Sequence, residues 1–302
     1  MIYKQRRKSL ELLALEYLDR RMSFPDKTKL HYENLKKGYE GEEMFDTYLA
    51  KIECECLILN DLLLNFNNTL FQIDSLLISA DSIYMHEVKN YQGDFYYDSD
   101  RLYKKQKSEI NNPLIQLNRT ESLLRQLLQS LGFHLPVEAS VIFINPEFTL
   151  YQAPLNKPFI YPTQLNPYFR KLDKLSSTKL DQKRKMLAEK LLSLHINDSP
   201  FTLLPPYEYN QLRKGITCVH CNSYSLSIIR RNCKCQRCGY EEAVSTAIMR
   251  SVKEFRILFP DKKITTNIIQ DWCKVIDSKK RIYRVLKGNL GIKGARQWSF
   301  YE

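Results

Sequence analysis

The chain has 302 residues, of which 43% are apolar, so it can hold two or three domains with proper cores. No run approaches the roughly 18 apolar residues of a membrane span, and Glu11 and Glu16 interrupt the basic N-terminus, which predicts an amphipathic helix instead of a signal peptide. Five of the eight cysteines fall between residues 218 and 238. This bunching is typical of metal binding, and we expect a reducing cytoplasm in which Cys54, Cys56 and Cys273 stay free thiols.

The net charge of +12 lies entirely in the C-terminal part of the chain. Residues 1–210 hold 27 Lys+Arg and 27 Asp+Glu, whereas residues 211–302 hold 19 Lys+Arg and 7 Asp+Glu. A solvated basic face would account for this asymmetry, but it favours a polyanionic partner, and nucleic acid is the first candidate.

In chain order, the pattern predicts a helix, three strands, a helix and a strand, which together make an α/β layer. The first of these helices starts at about Gly41, and a hairpin "YQGDFYYDSDRLYKK" precedes the second helix, whose first turn holds Pro113 and which ends at Gly132. A proline-flanked helical stretch and the linker "LLPPYEYNQ" follow. We predict five segments: an N-terminal helix (1–33), an α/β core (34–150), a helical cap and linker (151–210), a cysteine-rich ribbon (211–242) and a basic tail domain (243–302).

Three charged residues interrupt two neighbouring apolar strands in "FQIDSLLISADSIYMHEVK". Asp74 lies on the first strand, and Glu87 and Lys89 lie two apart on the second, so they share a face. If the strands pair through the "SADS" turn, the three side chains converge. Two carboxylates suit a hard cation such as Mg²⁺, and the lysine can orient or deprotonate an attacking water or stabilise charge on a phosphate. The pattern therefore predicts metal-assisted phosphodiester hydrolysis; the alternative is a surface Glu–Lys ion pair.

The order "KKGYEGEE", "QID", "HEVKNYQG" and "NNPLIQ" over about residues 34–145 resembles the nuclease-related domain (NERD), a branch of the PD-(D/E)XK, restriction-endonuclease-like fold. The resemblance implies a mixed-sheet α/β (α+β) nuclease core with Asp74, Glu87 and Lys89 as its catalytic set. It also implies that Glu42 helps to hold the catalytic Mg²⁺ or Mn²⁺. Gln72 and the stretch containing Asn112, Pro113 and Gln116 match the family's remaining polar signatures.

Several of these residues have simpler interpretations. Gln116, one helical turn in, could hold the lysine or a phosphate. Glu42 could be a surface residue, and Asn112 could be a helix cap. His86 points to the opposite face from Glu87, and a packed core histidine is the better interpretation there.

The segment "CVHCNSYSLSIIRRNCKCQRCGY" contains two C-x2-C knuckles, Cys218 with Cys221 and Cys235 with Cys238. This spacing predicts a structural tetrahedral Zn²⁺ in a zinc ribbon, with a short hairpin between the knuckles. Such a small segment needs its metal to fold. Cys233 and His220 are spare donors, and Cys233 could replace Cys235, although the C-x2-C-G turn favours Cys235.

Residues 243–302 carry 13 Lys+Arg against 5 Asp+Glu and are predicted to form three helices and a closing strand. Thr265 or Thr266 caps the second helix and Ser278 caps the third. This pattern resembles a winged helix-turn-helix, whose third helix enters the major groove. We expect nucleic-acid binding by Lys280, Tyr283, Arg284 and Lys287, joined by Lys293 and Arg296 in the wing. The alternative is a helical bundle for protein contacts with a solvated basic face.

The sequence thus predicts a metal-dependent deoxyribonuclease for DNA processing or defence against foreign DNA, with no membrane association. A non-catalytic DNA-binding regulator and an RNA nuclease are the main alternatives. A purely structural interaction module would leave Asp74, Glu87 and Lys89 without a purpose. The sequence leaves open whether the chain also binds a second copy of itself or a partner protein.

Overall fold

The computed structural model describes residues 1–105, 108–175, 179–294 and 299–302. Its α-helices are α1 (Leu10–Arg21), α2 (Asp26–Leu49), α3 (Pro113–Ser130), α4 (Leu165–Leu175), α5 (Gln182–Leu194), α6 (Val244–Leu258), α7 (Thr266–Cys273) and α8 (Lys279–Asn289). Its strands are β1 (Ile2–Lys4), β2 (Leu57–Phe66), β3 (Thr69–Ile78), β4 (Ile83–Lys89), β5 (Gly93–Asp98), β6 (Arg101–Lys104), β7 (Glu109–Ile110), β8 (Val137–Phe143), β9 (Phe148–Tyr151), β10 (Phe159–Ile160), β11 (Leu226–Ile229), β12 (Asn232–Cys235), β13 (Glu241–Ala243), β14 (Ile292–Lys293) and β15 (Phe300–Tyr301). None of the helices within these residues is long and apolar enough to cross a membrane.

The chain folds into two compact units, each built from two separate segments. The first unit comprises Met1–Lys8 and Glu33–Pro200, and the second comprises Ser9–Tyr32 and Phe201–Glu302.

The division into five segments stays a prediction. One part of it is wrong, because residues 1–33 are not a single helix. Residues 2–4 instead form a strand that pairs in parallel with β2, and a new helix begins after Ser9, whose side chain accepts a hydrogen bond from the Leu12 N–H.

The first unit is organised around a six-stranded mixed sheet with the strand order β1-β2-β3-β4-β8-β10. The pairs β2–β3 and β3–β4 are antiparallel, whereas β1–β2, β4–β8 and β8–β10 are parallel. This confirms the predicted mixed α+β fold with a mixed sheet. The short strands β1 and β10 were not predicted, because a strand of two or three residues carries no periodic pattern.

Helices cover both faces of this sheet. On one face, Leu117, Leu124 and Leu128 of α3 pack with Leu57, Leu59 and other residues of the central strands. On the other face, Phe45 and Leu49 of α2 pack with Ile58, Leu77 and Tyr84. The central strands are therefore buried on both sides, which explains why their sequences are continuously apolar.

A smaller sheet with the order β7-β6-β5-β9 completes the first unit. The predicted hairpin is confirmed: Asp98 lies opposite Arg101, and the intervening Ser99 and Asp100 take positive φ angles of 49° and 60°. Left-handed backbone at both turn positions is typical of a two-residue hairpin loop.

The second unit joins α1 to the C-terminal helices. Ala14 and Leu18 of α1 share one core with residues of α6, α7 and α8, among them Phe255 and Trp272. The strands β11, β12 and β13 form an antiparallel sheet, and β14 pairs with β15. Thr265 caps α7 and Ser278 caps α8, as predicted. The expected wing residue Arg296 lies outside the described residues.

Candidate active site and cysteine cluster

The candidate site lies where β3 and β4 separate. Their paired residues run from Ile78 opposite Ile83 to Ser75 opposite His86, while β4 continues along β8 as far as Lys89 opposite Phe143. The backbone pairing of β3 with β4 ends at Ser75. At the next position a side chain takes over, because Asp74 Oδ2 accepts a hydrogen bond from the backbone N–H of Val88 at 2.7 Å. Asp74 is 6% exposed and Glu87 is 2% exposed. The strand pairing thus brings both carboxylates to one buried fork in the sheet.

Lys89 lies beside Glu87 at the end of β4. Its Nζ is 2.6 Å from Glu87 Oε1, and it donates a hydrogen bond to Gln116 Oε1 of α3 at 3.2 Å. The side chain of Lys89 is 19% exposed, so the ammonium is held between two fixed partners at the edge of solvent. The contact with the lysine that was considered for Gln116 is thus present.

His86 is confirmed as a packed core residue. It is 1% exposed, its ring centroid lies 5.1 Å from that of Phe45, and its Nε2 is 2.8 Å from the Tyr168 hydroxyl oxygen. Burial lowers the pKa of His86 to about 3, so the ring is neutral. Asn112 caps α3, since its Oδ1 accepts from the Leu114 N–H at 3.0 Å.

Glu42 reaches the fork because α2 comes unusually close to the end of β4. A Cβ at Gly41 would lie 2.4 Å from Asn90 Cβ, a separation that real Cβ atoms do not show, so only glycine fits. Asn90 fixes this contact by donating from Nδ2 to the Lys37 carbonyl at 2.8 Å. Glu42 is neither a free surface residue nor fully buried: its side chain is 20% exposed and forms an ion pair with Arg6.

The three carboxyl groups share a crowded, poorly solvated environment. Burial, and after it the Asp74 charge, raises the pKa of Glu87 to about 8 and that of Glu42 to about 8. Burial also raises the pKa of Asp74, although Lys89 and the Val88 N–H oppose the shift. Burial disfavours the charged form of Lys89, but Glu87 and Asp74 outweigh it and raise its pKa. Lys89 is therefore a cation at neutral pH.

This donor set fits a hard divalent cation. Carboxylate oxygens are the ligands that Mg²⁺ prefers, and a cation would relieve the charge repulsion that, after burial, raises the pKa of Glu42 and Glu87. Among the described residues, three or more potential ligand atoms lie within 4.8 Å of one another only in a group of cysteines, so the three carboxyl groups do not form a closed cage. Mg²⁺ needs only one or two carboxylates, with waters and phosphate oxygens as its other ligands.

Sequence reasoning missed two residues near the fork. Arg6 contacts Glu42 and the Asp74 carbonyl oxygen, at 2.5 Å and 2.7 Å. Asp61, on β2, has a left-handed φ of 55° and interrupts the ladder between the pairs Asn60–Ser75 and Leu62–Ile73. No local pattern could reveal Arg6, which belongs to an ordinary basic stretch and meets Glu42 across 36 residues of chain.

An open groove of about 650 Å³ borders Lys89. Its wall includes Gln72 of β3 and the first two turns of α3, with Gln116, Arg119 and the 70% exposed Ile115. The groove thus brings an ammonium, a guanidinium and amide groups to one concave surface beside the buried carboxylates.

The structure brings Cys218, Cys221, Cys235 and Cys238 together, with their sulfur atoms all within 4.8 Å of one another. Cys218 Sγ lies 3.6 Å from Cys238 Sγ, and Cys221 Sγ lies 3.5 Å from Cys235 Sγ. A tetrahedron with metal–sulfur bonds of about 2.3 Å has edges of about 3.8 Å, so this group could hold a metal such as zinc. Backbone N–H groups, first that of Cys238, lower the pKa of Cys235 to about 6, which favours its thiolate form.

The two spare donors do not enter this group. Cys233 is 2% exposed in the core of the second unit, and burial raises its pKa to about 11. His220 stacks on Tyr240 with a centroid distance of 6.0 Å. All eight cysteines of the chain are free of disulfides.

The predicted nucleic-acid contacts of the tail lie on solvent-exposed positions. Lys280, Tyr283, Arg284 and Lys287 are exposed on α8, while Ile282 and Leu286 are buried beneath them. Lys293 is exposed on β14 and lies 3.5 Å from Glu302.

Comparison with known proteins identifies one part of the chain. Residues 37–144 match the family model NERD, described as the nuclease-related domain. The match spans about a third of the chain and includes Glu42, Asp74, Glu87, Lys89 and Gln116. No curated protein and no solved structure matches the chain significantly.

Proposed function

We propose that the chain is a Mg²⁺- or Mn²⁺-dependent deoxyribonuclease that hydrolyses phosphodiester bonds in DNA processing or in defence against foreign DNA. The observation that carries this proposal is the buried fork, where Asp74, Glu87 and the Glu87–Lys89 ion pair at 2.6 Å meet within a nuclease-related domain. A structural ion pair would not require two further carboxyl groups beside it at the cost of their desolvation.

The carboxylates of Asp74 and Glu87 would hold the catalytic cation, with Glu42 assisting. A bound Mg²⁺ or Mn²⁺ supplies Lewis-acid polarisation of a phosphate and lowers the pKa of a bound water. The chain's own part is to keep these oxygens in place. Asp74 is fixed by the Val88 N–H, and Glu87 lies on the rigid central strand β4.

Lys89 acts as a charged group in this proposal. Its ammonium forms an ion pair with Glu87 at 2.6 Å. From there it can orient the attacking water and stabilise negative charge on the phosphate. Gln116 accepts its hydrogen bond and so limits the positions that the ammonium can take.

The second unit supplies substrate affinity. The four-cysteine group would hold a structural Zn²⁺, and the exposed face of α8 would contact DNA phosphates. A structural zinc of this kind leaves no open coordination position, so the ribbon has no catalytic role.

The deciding experiment is a cleavage assay on the purified full chain with linear duplex, circular duplex and single-stranded DNA, and with RNA. We expect DNA cleavage that requires Mg²⁺ or Mn²⁺, disappears with chelator and is lost in Glu87→Gln. Glu138→Gln is the matched control, because Glu138 is exposed on the neighbouring strand opposite Tyr84. Cleavage of RNA alone would identify a ribonuclease, and DNA binding without cleavage of any substrate would identify a regulator.

A further inference from the structure

We propose that Arg6 is a positioning residue of the candidate metal site, although it lies outside the segment that matches the nuclease-related domain. It would fix the Glu42 carboxylate relative to Asp74, so that the two act as one ligand set. The inference rests on the proposed function, because it assumes that a divalent cation binds at the fork.

Arg6 ties three separate elements together through its guanidinium group. Nη1 donates to Glu42 Oε2 at 2.5 Å, and Nη2 donates to the Asp74 carbonyl oxygen at 2.7 Å. Nε and Nη2 also donate to the two carboxylate oxygens of Asp46, at 3.0 Å and 3.1 Å. One side chain thus joins the segment after β1, one face of α2 and the backbone of β3 at the residue where β3 leaves β4.

Burial makes these contacts directional. The Arg6 side chain is 3% exposed, so water does not compete for its donors. A planar guanidinium fixes the directions of its N–H groups, unlike a lysine ammonium. Glu42 Oε2 accepts its hydrogen bond from this guanidinium, so Arg6 sets the direction of the Glu42 carboxylate.

The charge of Arg6 has a partner apart from Glu42. Because Asp46 binds the guanidinium through both of its oxygens, the Arg6–Asp46 pair is close to neutral as a whole. Arg6 can therefore orient Glu42 through one oxygen and leave the other free for a cation. Arg6 therefore orients the Glu42 carboxylate, and it does not merely neutralise an acidic cluster.

Lys4, two residues before Arg6, also links the N-terminal segment to the central sheet. Its Nζ donates to the backbone carbonyl oxygens of Asn60 and Asp61, at 2.8 Å and 2.7 Å. Asn60 is the last paired residue before the pairing of β2 with β3 is interrupted at Asp61. The segment Met1–Lys8 therefore braces the sheet directly behind the fork.

The test measures Mn²⁺ affinity by electron paramagnetic resonance of the free ion, on the full chain with its cysteine cluster loaded with zinc. The key variant combines Arg6→Met with Asp46→Asn, which removes one positive and one negative charge and so keeps the net charge unchanged. We expect about 10–100-fold weaker Mn²⁺ binding, the range seen when the outer partners of metal ligands are removed. Arg6→Lys should restore part of the affinity.

Arg7→Met is the matched control, because Arg7 is the exposed neighbour of Arg6, and it should bind Mn²⁺ like the wild type. Thermal unfolding in chelator identifies variants that are merely unstable. Wild-type Mn²⁺ affinity in the double variant would overturn the inference. If that variant does not fold, unchanged affinity in Arg6→Lys would overturn it as well.

The inference and the proposed function can fail separately. Arg6-dependent Mn²⁺ binding without cleavage of any nucleic acid would refute the nuclease and leave the positioning role standing. Metal-dependent cleavage, together with normal Mn²⁺ affinity in the Arg6 variants, would refute the positioning role alone. Absence of Mn²⁺ binding in the wild type would refute both.

Discussion

The two units differ in how they hold their charged or reactive side chains in place. In the first unit, the fork residues are placed by a sheet that is buried on both faces, and the unit is nearly neutral, with 23 Lys+Arg and 22 Asp+Glu. In the second unit, Cys235 ends strand β12 of a small sheet, and the other three cysteines of the group lie outside its strands. Strand β11 of that sheet is half exposed, and the unit carries 23 Lys+Arg against 12 Asp+Glu. The fork is thus held by a hydrophobic core, whereas we propose that the ribbon is held by a metal.

Metal removal should therefore affect the two units very differently, and this is the largest effect that we expect. Cys221→Ser should unfold the ribbon locally, because zinc binding to small cysteine sites contributes about 10–16 kcal/mol in peptides. Hydrogen exchange should show reduced protection in β11, β12 and β13 while the first unit stays protected. Cleavage of short substrates should be largely retained.

Cys233→Ser is the control for this experiment, since Cys233 is buried outside the cysteine group. Elemental analysis should find one zinc per chain in the wild type and in Cys233→Ser. Freshly purified protein without zinc would contradict the ribbon, and zinc loss in Cys233→Ser but not in Cys235→Ser would show that the ligand set is wrong.

The catalytic contribution of Lys89 gives the next largest effect. Lys89→Met should lower the cleavage rate by about 10²–10³-fold, the range for removal of one preorganised group that stabilises charge. Single-turnover kinetics at saturating DNA should show the decrease in the rate and leave binding almost unchanged. Lys105→Met serves as the control, because Lys105 forms an exposed ion pair with Asp94 on the adjacent hairpin. A wild-type rate in Lys89→Met would remove the proposed mechanism.

Substrate affinity, unlike the cleavage rate, should depend mainly on the second unit. Replacing Lys280, Arg284 and Lys287 together with Gln should weaken DNA binding and reduce the log–log salt slope by up to about 0.9 for each DNA phosphate that the protein no longer neutralises. Point substitutions are preferable to deletion of residues 211–302, because α1 shares its core with α6 and would be left uncovered. Fluorescence anisotropy at several salt concentrations measures both quantities.

Lys183, Lys185 and Lys190 provide the matched control, because all three are exposed on α5 of the first unit and their replacement changes the net charge equally. Equal effects of the two triple substitutions would mean that only total charge matters. The basic face of α8 would then be better explained by solvation or by protein contacts.

A pair of glycines on one helix gives the smallest and most local test. Gly41→Ala should destabilise the first unit by about 1–3 kcal/mol, as overpacking does, and weaken Mn²⁺ binding, because a Cβ would collide with Asn90 and displace Glu42. Gly38→Ala on the same helix meets nothing within 4 Å and should stabilise the unit by about 0.5–1 kcal/mol. Chemical denaturation measures both, and equal effects would refute the close approach of α2.

Local patterns in the sequence were sufficient to predict the elements with strong periodicity and clear caps. The two central strands and the hairpin at Asp98–Arg101 were predicted, and a helix cap was one of two interpretations of Asn112, because each depends on residues close together in the chain. The meeting of Asp74 with Glu87 was also predictable, since a short turn joins their strands. The cysteine group followed from knuckle spacing for the same reason.

The tertiary structure alone decided the features that depend on contacts between distant segments. It brought the N-terminal segment into the first unit and α1 into the second, although the two are adjacent in sequence. It also placed Arg6 between Glu42 and Asp74, across 36 and 68 residues of chain. A strand of three residues and a lone arginine carry no periodic signal, and their positions follow from free backbone groups at a sheet edge and buried carboxylates that need a partner.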